Sequence, residues 1–203
     1  MNQDVKRHSR GFAGPLFIIG MPRSGTKLLR GLLNEHPRIG IPISETEFFP
    51  YWIAHWQEFG DLSKKENFVR FYKRMLSAPY FICYRRDGKL IDADLWFEWC
   101  HNFSPAGVFE ALVRHDAGVE FTSDHIWGDK SPSYTTNMTL LKHHFPDAKF
   151  VHIIRDVRDY CLSINRAWGK HMLRAAQRWV YGVEGAISAA QAFPADCMQL
   201  RYR

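Results

Sequence analysis

"PLFIIGMPRSGTKLLR", residues 15–30, decides the fold. It begins as a short apolar run that stops at Gly20, the mark of a buried strand. Gly20 and Gly25 then enclose four residues, after which Leu28, Leu29, Leu32, Leu33 and His36 recur at helical spacing until Pro37. Ser24 is expected to cap that helix. A strand, a glycine-bearing turn and a helix start form an anion site, because N–H groups point into the turn and the helix dipole favours negative charge. Arg23, Ser24, Thr26 and Lys27 add side-chain donors. Their order is unusual. In a phosphate loop of the nucleotidase kind the Lys precedes a Ser or Thr whose hydroxyl holds magnesium. Here Thr26 comes first and the cation Lys27 takes the metal-holding position. The loop therefore suits a phosphorylated donor handled without a bridging metal.

A second apolar run, "KFVHIIR" at 149–155, reads as another buried strand, and "DVRDYCLSINRAW" returns to helical spacing. Arg155 stands at the strand end, and Ser163 lies eight residues on, within reach of the same anion. Taken alone, Arg155 reads equally well as a salt-bridge partner of Asp156 or Asp159. A long amphipathic helix follows, with Met172, Ala176, Trp179, Val183, Ile187 and Ala190 on one face, and "MQLRYR" at 198–203 reads as a third strand. Between the loop and Arg155, Pro50 opens an aromatic helix stopped by Gly60, and residues 64–77, 107–115 and 133–145 have helical character. Strands alternating with helices imply an α/β fold: a P-loop-like, three-layer domain with a small central parallel sheet flanked by helices. Residues 1–14 read as a flexible basic tail and 15–203 as one domain. Ligands in such sheets collect at the carboxyl ends of strands, where both grips lie. Two anion grips on neighbouring strand ends suit a ligand with phosphate groups at both ends.

The 203 residues carry 27 Lys or Arg and 21 Asp or Glu, a net charge of +6. From residue 149 onward the balance is nine basic to four acidic, which serves an anionic ligand or a solvated face alike. Nothing in the sequence calls for nucleic acid as a partner. The four cysteines form no C-x-x-C pair and match no zinc spacing, so free thiols in a reducing compartment are expected, and with them a cytoplasmic location. No apolar run is long enough for a membrane span. Asp94 reads as a helix cap, adjacent His143 and His144 do not suggest a metal site, and no metal is expected elsewhere. Arg174 and Arg178, four apart on the long helix, read as facing water, with contact to an acidic acceptor as the other use. The aromatic residues between 48 and 109 read as core, with an acceptor pocket as the other use.

The residues quoted above resemble the sulfotransferase family, whose enzymes use 3′-phosphoadenosine 5′-phosphosulfate (PAPS). The resemblance rests on "GMPRSGT" followed by "LL", on "FVHIIRDVRDYCLSINRAW", and on "GDKSP" at 128–132, which is similar to an element of the carbohydrate-type and protein-tyrosine branches. It implies that Arg23, Ser24, Gly25, Thr26 and Lys27 hold the 5′-phosphosulfate and that Arg155 and Ser163 hold the 3′-phosphate. It implies catalytic roles for Arg23 as the main cation and Lys130 or Lys27 as an assistant. Glu45, in "ETEFF", is implied as the base that deprotonates a hydroxyl or amine acceptor, with Glu47 as its rival. The acceptor itself and the oligomeric state are not legible.

The sequence departs from the family pattern at its end. A Tyr-Glu-Asp-Leu element, more helix and a basic segment are usual after the last strand, whereas this sequence has Arg203 at the Glu position. That raises the expectation of a C-terminally short form of uncertain activity. Two other readings stay open: a P-loop kinase-like nucleotide enzyme using Asp156 as metal ligand, and a non-catalytic PAPS-binding remnant.

Overall fold

The computed structural model describes residues 11–122 and 124–202. The first ten residues of the expected tail, and Arg203, lie outside them. Five parallel strands form the centre: β1 (Leu16–Ile19), β2 (Ile39–Gly40), β3 (Ile126–Lys130), β4 (Lys149–Arg155) and β5 (Cys197–Tyr202). Their order across the sheet is β2-β3-β1-β4-β5. Helices flank the sheet, as the alternation of elements implies. The sequence pattern alone suggests only β1, β4 and β5. β2 is two residues long, and "IWGDK" of β3 has neither an apolar run nor an alternating pattern.

The order of the strands places the site. From β1 the chain runs through α1 (Thr26–Asn34) to the β2–β3 side of the sheet. From β4 it runs through α8 (Val157–Trp168) and α9 (Met172–Ala190) to β5 on the other side. Connections that leave two adjacent strands in opposite directions open a crevice at their carboxyl ends. Here those strands are β1 and β4, paired in register from Leu16 with Lys149 to Ile19 with His152.

The stretch between β2 and β3 holds α2 (Phe49–His55), α3 (Lys65–Met75), α4 (Pro79–Arg86), α5 (Ala93–Trp99) and α6 (Pro105–Ala117). They enclose an aromatic core. Trp52, Phe68, Phe71, Phe81, Trp96 and Phe109 are fully buried, and the polar tips of the two indoles are satisfied by Met75 Sδ (2.8 Å) and by the Val108 carbonyl (3.0 Å). These rings are core. The cap of α5 is Asp92, which accepts from Leu95 N at 2.8 Å, while Asp94 pairs with Lys65. The stretch 133–145 is split into a 3₁₀ turn (Pro132–Thr136) and α7 (Met138–His144).

Two helices sit differently from their apolar patterns. On α1, Leu28 and Leu32 are largely exposed and Thr26 is the buried residue. On α9 the buried line is Ala175, Gly182, Val183 and Ala186, with Met172 and Ile187 more than a third exposed. Gly182 explains the rotation. A Cβ there would stand 2.4 Å from Met21 Sδ, so its bare backbone lets α9 approach the turn after β1.

Candidate active site

The turn after β1 has the strand–glycine turn–helix form that the sequence suggests. Gly20 (φ 150) passes so close to β4 that a Cβ would meet the Ile153 carbonyl oxygen at 2.5 Å. Its N–H is donated to Thr135 Oγ1 (2.9 Å). Arg23 (φ 70) and Gly25 (φ 92) both take left-handed backbone, and for the non-glycine Arg23 that conformation is strained. Gly25 is the N-cap of α1, with no side-chain cap bond. Ser24 therefore does not cap the helix. Its hydroxyl oxygen is fully buried and has no partner. The first-turn N–H groups of Thr26, Lys27 and Leu28 have no intrahelical acceptor. An unpaired buried hydroxyl costs roughly 1–3 kcal/mol, and this one belongs to the same turn whose helix-start N–H groups lack intrahelical acceptors.

The second grip meets the first directly. Arg155 Nη1 donates to the Arg23 carbonyl oxygen (3.0 Å), and Arg23 Nε donates to Ser163 Oγ (3.2 Å). The competing salt bridge is not formed. Asp156 caps α8 by accepting from Arg158 N (2.8 Å) and pairs with the Arg158 guanidinium, which together hold its carboxyl at about 2. Arg155 is fixed instead by three other contacts. Its guanidinium lies over the Tyr202 ring at 5.6 Å, its carbonyl accepts from Trp179 Nε1 (3.1 Å), and Nη1 reaches the loop. Tyr202 also packs on the loop: a Cβ on Gly25 would come within 3.2 Å of its ring.

Glu45 reaches the same cleft by way of a buried scaffold. Thr46 is hydrogen-bonded to Tyr134 OH (2.7 Å) and Ser131 Oγ (3.3 Å), and Phe49 N donates to Tyr134 OH. The segment that follows Lys130 at the end of β3 thus also holds the segment that carries Glu45. Lys130 Nζ, fully buried, donates to Glu45 Oε1. Burial lowers the Lys130 pKa, opposed by its bond to Glu45. Glu47 (φ 50) is held above the usual carboxylate range by desolvation first and by the charge of Glu45 second. Beneath them lies Asp129, fully buried, with neither oxygen in a well-formed hydrogen bond. Burial raises its pKa to about 7, against nearby Ser131, Thr46 and Lys130.

A cleft of about 450 Å³ collects these groups, with Arg23, Thr26, Lys27, Glu45, Glu47 and Arg155 on its walls. Of the site residues named from sequence, Arg23, Gly25, Thr26, Lys27, Glu45 and Arg155 line this cleft, Lys130 is bonded to Glu45, Ser163 is bonded to Arg23, and Ser24 stands between Arg23 and Gly25 in the loop. Sequence reading missed Tyr202, Trp168 and Tyr134. Tyr202 ends β5 and so obeys the same strand-end rule that pointed to Arg155, whereas Tyr134 acts through contacts across 88 residues that no local pattern records. Among the described residues no three His, Cys, Asp or Glu are grouped to hold a metal, and no helix is long and apolar enough to cross a membrane.

Comparison with known proteins bears on the family and the fold. A family model described as the sulfotransferase family matches residues 15–203. Protein-tyrosine sulfotransferase 1 of Homo sapiens is 28% identical over 143 residues, covering 70% of this chain and 31% of the human protein. The Danio rerio protein of that name is 26% identical, with 70% of this chain and 33% of the relative covered. The chain therefore spans about a third of the length of these relatives. Among solved structures, the sulfotransferase domain of an olefin synthase from Synechococcus PCC 7002 superposes with a TM-score of 0.57 at 23% identity, covering 94% of this chain and 67% of that one. This likeness establishes the fold.

Proposed function

The chain belongs to the sulfotransferase family, and from that premise we propose that it moves a sulfuryl group from PAPS to a hydroxyl or amine acceptor. The observation that carries the proposal is the junction of the two grips through Arg155 and Arg23, which lets one molecule with phosphates at both ends bridge them. Arg23, Ser24, Gly25, Thr26 and Lys27 receive the 5′-phosphosulfate. Arg155 and Ser163 receive the 3′-phosphate, for which an arginine fork is well shaped. The orphaned Ser24 hydroxyl fits this role, since a phosphate oxygen supplies the partner that the fold does not.

Glu45 takes the acceptor proton. As the acceptor atom bonds to sulfur, the bond from sulfur to the bridging phosphate oxygen breaks, and its electron pair stays on that oxygen. Arg23, with Lys27 and Lys130 near the same cleft, meets the growing charge. Cations and N–H groups already in place stabilise it without reorganisation. Lys130 also orients Glu45 through the bond between them. No magnesium is needed to bridge phosphates, which accounts for Lys27 at the position where a nucleotidase has its metal-binding hydroxyl. The kinase-like reading is disfavoured by Asp156, whose carboxylate is engaged by Arg158.

Calorimetry with adenosine 3′,5′-bisphosphate, with and without Mg²⁺, tests the proposal. Binding that is indifferent to Mg²⁺ and lost in an Arg155→Ala, Ser163→Ala double variant is expected. Mg²⁺-dependent ATP binding with no response to the bisphosphate would overturn it.

A further inference from the structure

A second cleft, of about 400 Å³, adjoins the first; Pro22 and Trp168 line both. Its volume is that of a small-molecule site. The floor is apolar, with Tyr160, Ile164 and Ala175 all buried. The rim is basic: Lys170, His171, Arg174 and Arg178 surround it, and among the described residues no acidic one lines it. Arg174 and Arg178 are exposed, as their spacing on the helix suggests, and both line this cleft. Among the described residues no carboxylate pairs with Lys170, Arg174 or Arg178. Arg178 is near enough to Tyr160 for its charge to act on that hydroxyl. Lys170 Nζ stands over the Trp168 ring at 5.3 Å, leaving that half-exposed indole as one wall. The first turn of the 19-residue α9 opens on the same space, with His171 as its N-cap. Unpaired cations, a helix N-terminus and an apolar floor all favour one occupant, an anion carried on a ring.

We propose that this cleft holds the acceptor and that the acceptor is a small aromatic acid, its ring against Trp168 and the apolar floor and its carboxylate on Arg174 and Arg178. The inference rests on the sulfuryl-transfer reading for the word acceptor, but not for the binding itself. Pro22 and Trp168 are the wall this cleft shares with the cleft of the donor loop and Glu45, and the ring's hydroxyl points toward that wall.

The test titrates the whole chain with para-hydroxyphenylacetate and, separately, with its methyl ester, which has the same ring and hydroxyl but no charge. The acid is expected to bind at least tenfold more tightly than the ester. An Arg174→Ala, Arg178→Ala double variant should lose that preference while unfolding at the same midpoint and binding adenosine 3′,5′-bisphosphate as before. Equal binding of acid and ester, undetectable binding of both, or an unchanged preference in the variant overturns the proposal. Failure of the bisphosphate to bind wild type would sink the donor reading instead, so the two failures are told apart.

Discussion

Arg155 and Arg23, 132 residues apart in sequence, are joined by a hydrogen bond from Nη1 of the first to the backbone oxygen of the second at 3.0 Å. The bond sets the anion loop after β1 against the end of β4. Both arginine side chains line the same two clefts, one shared with Glu45 and Glu47 and the other with Asp159 and Ser163. Trp179 holds the Arg155 backbone through its carbonyl, and the Tyr202 ring packs against the guanidinium on the wall of the same cleft.

Removing that fork should weaken nucleotide binding sharply. A hydrogen bond to a charged group contributes about 1.5–3 kcal/mol, so Arg155→Ala is expected to lower affinity for adenosine 3′,5′-bisphosphate by roughly ten- to a hundredfold. Arg155→Lys should recover only part of it, because an ammonium cannot hold the Arg23 carbonyl and a phosphate in one plane. Titration calorimetry decides, and an affinity within twofold of wild type in the alanine variant would count against the assignment.

Much of this was legible in the residues, and what was not shares a cause. The loop, Arg155 and the strands β1 and β4 announce themselves by local patterns: an apolar run, a glycine turn, a strand-end cation. β3 does not, because four of its five positions are buried and three of those are filled by Gly128, Asp129 and Lys130. Gly128 is set by its neighbour rather than by any period, since a Cβ there would stand 2.2 Å from the Leu16 carbonyl oxygen. The assignment of Ser24 as a cap failed because Gly25, free to take left-handed backbone, starts the helix one residue later. Glu45 could be named only through family resemblance. Its position depends on Thr46, Ser131 and Tyr134, which are brought together by the fold alone.

Glu45→Gln separates chemistry from binding. The amide keeps the shape and can still bond to Lys130, but it cannot accept the acceptor's proton. General-base catalysis contributes about 10²–10⁴-fold, so turnover of labelled PAPS should fall by about that factor while bisphosphate affinity stays within twofold. Full turnover in the variant would hand the role to Glu47, and Glu47→Gln in the same assay would then carry the loss.

Gly20→Ala examines the contact between the loop and β4. Its Cβ would sit 2.5 Å from a backbone oxygen and 2.9 Å from Ile153 Cγ2, on backbone at φ 150. Neither strand can retreat without breaking their shared ladder. A loss of about 2–3 kcal/mol in urea unfolding is expected, with nucleotide affinity falling as the loop shifts away from Arg155. Unchanged stability would mean that the two strands are farther apart than described.

Asp129 gives the fold a pH dependence with a definite sign. Its carboxyl ionises near 3.8 in an unfolded chain and at about 7 when buried. Between those values the folded protein holds a proton that the unfolded chain has released. Its contribution is therefore most favourable below 3.8, declines as pH rises, and levels off above about 7, at up to ~1.4 kcal/mol per pH unit. His152 pulls the other way. Burial lowers its pKa to about 4 from 6.5, so it disfavours the fold as pH falls through the same window. Wild type alone can thus look flat. The diagnostic quantity is the difference from Asp129→Asn, which stays neutral throughout and leaves His152 in place. Raising pH from about 5 to about 7 should shift stability in favour of the Asn variant relative to wild type by about 2 kcal/mol. Urea unfolding at the two pH values measures it, and parallel curves would show that Asp129 ionises normally in the fold.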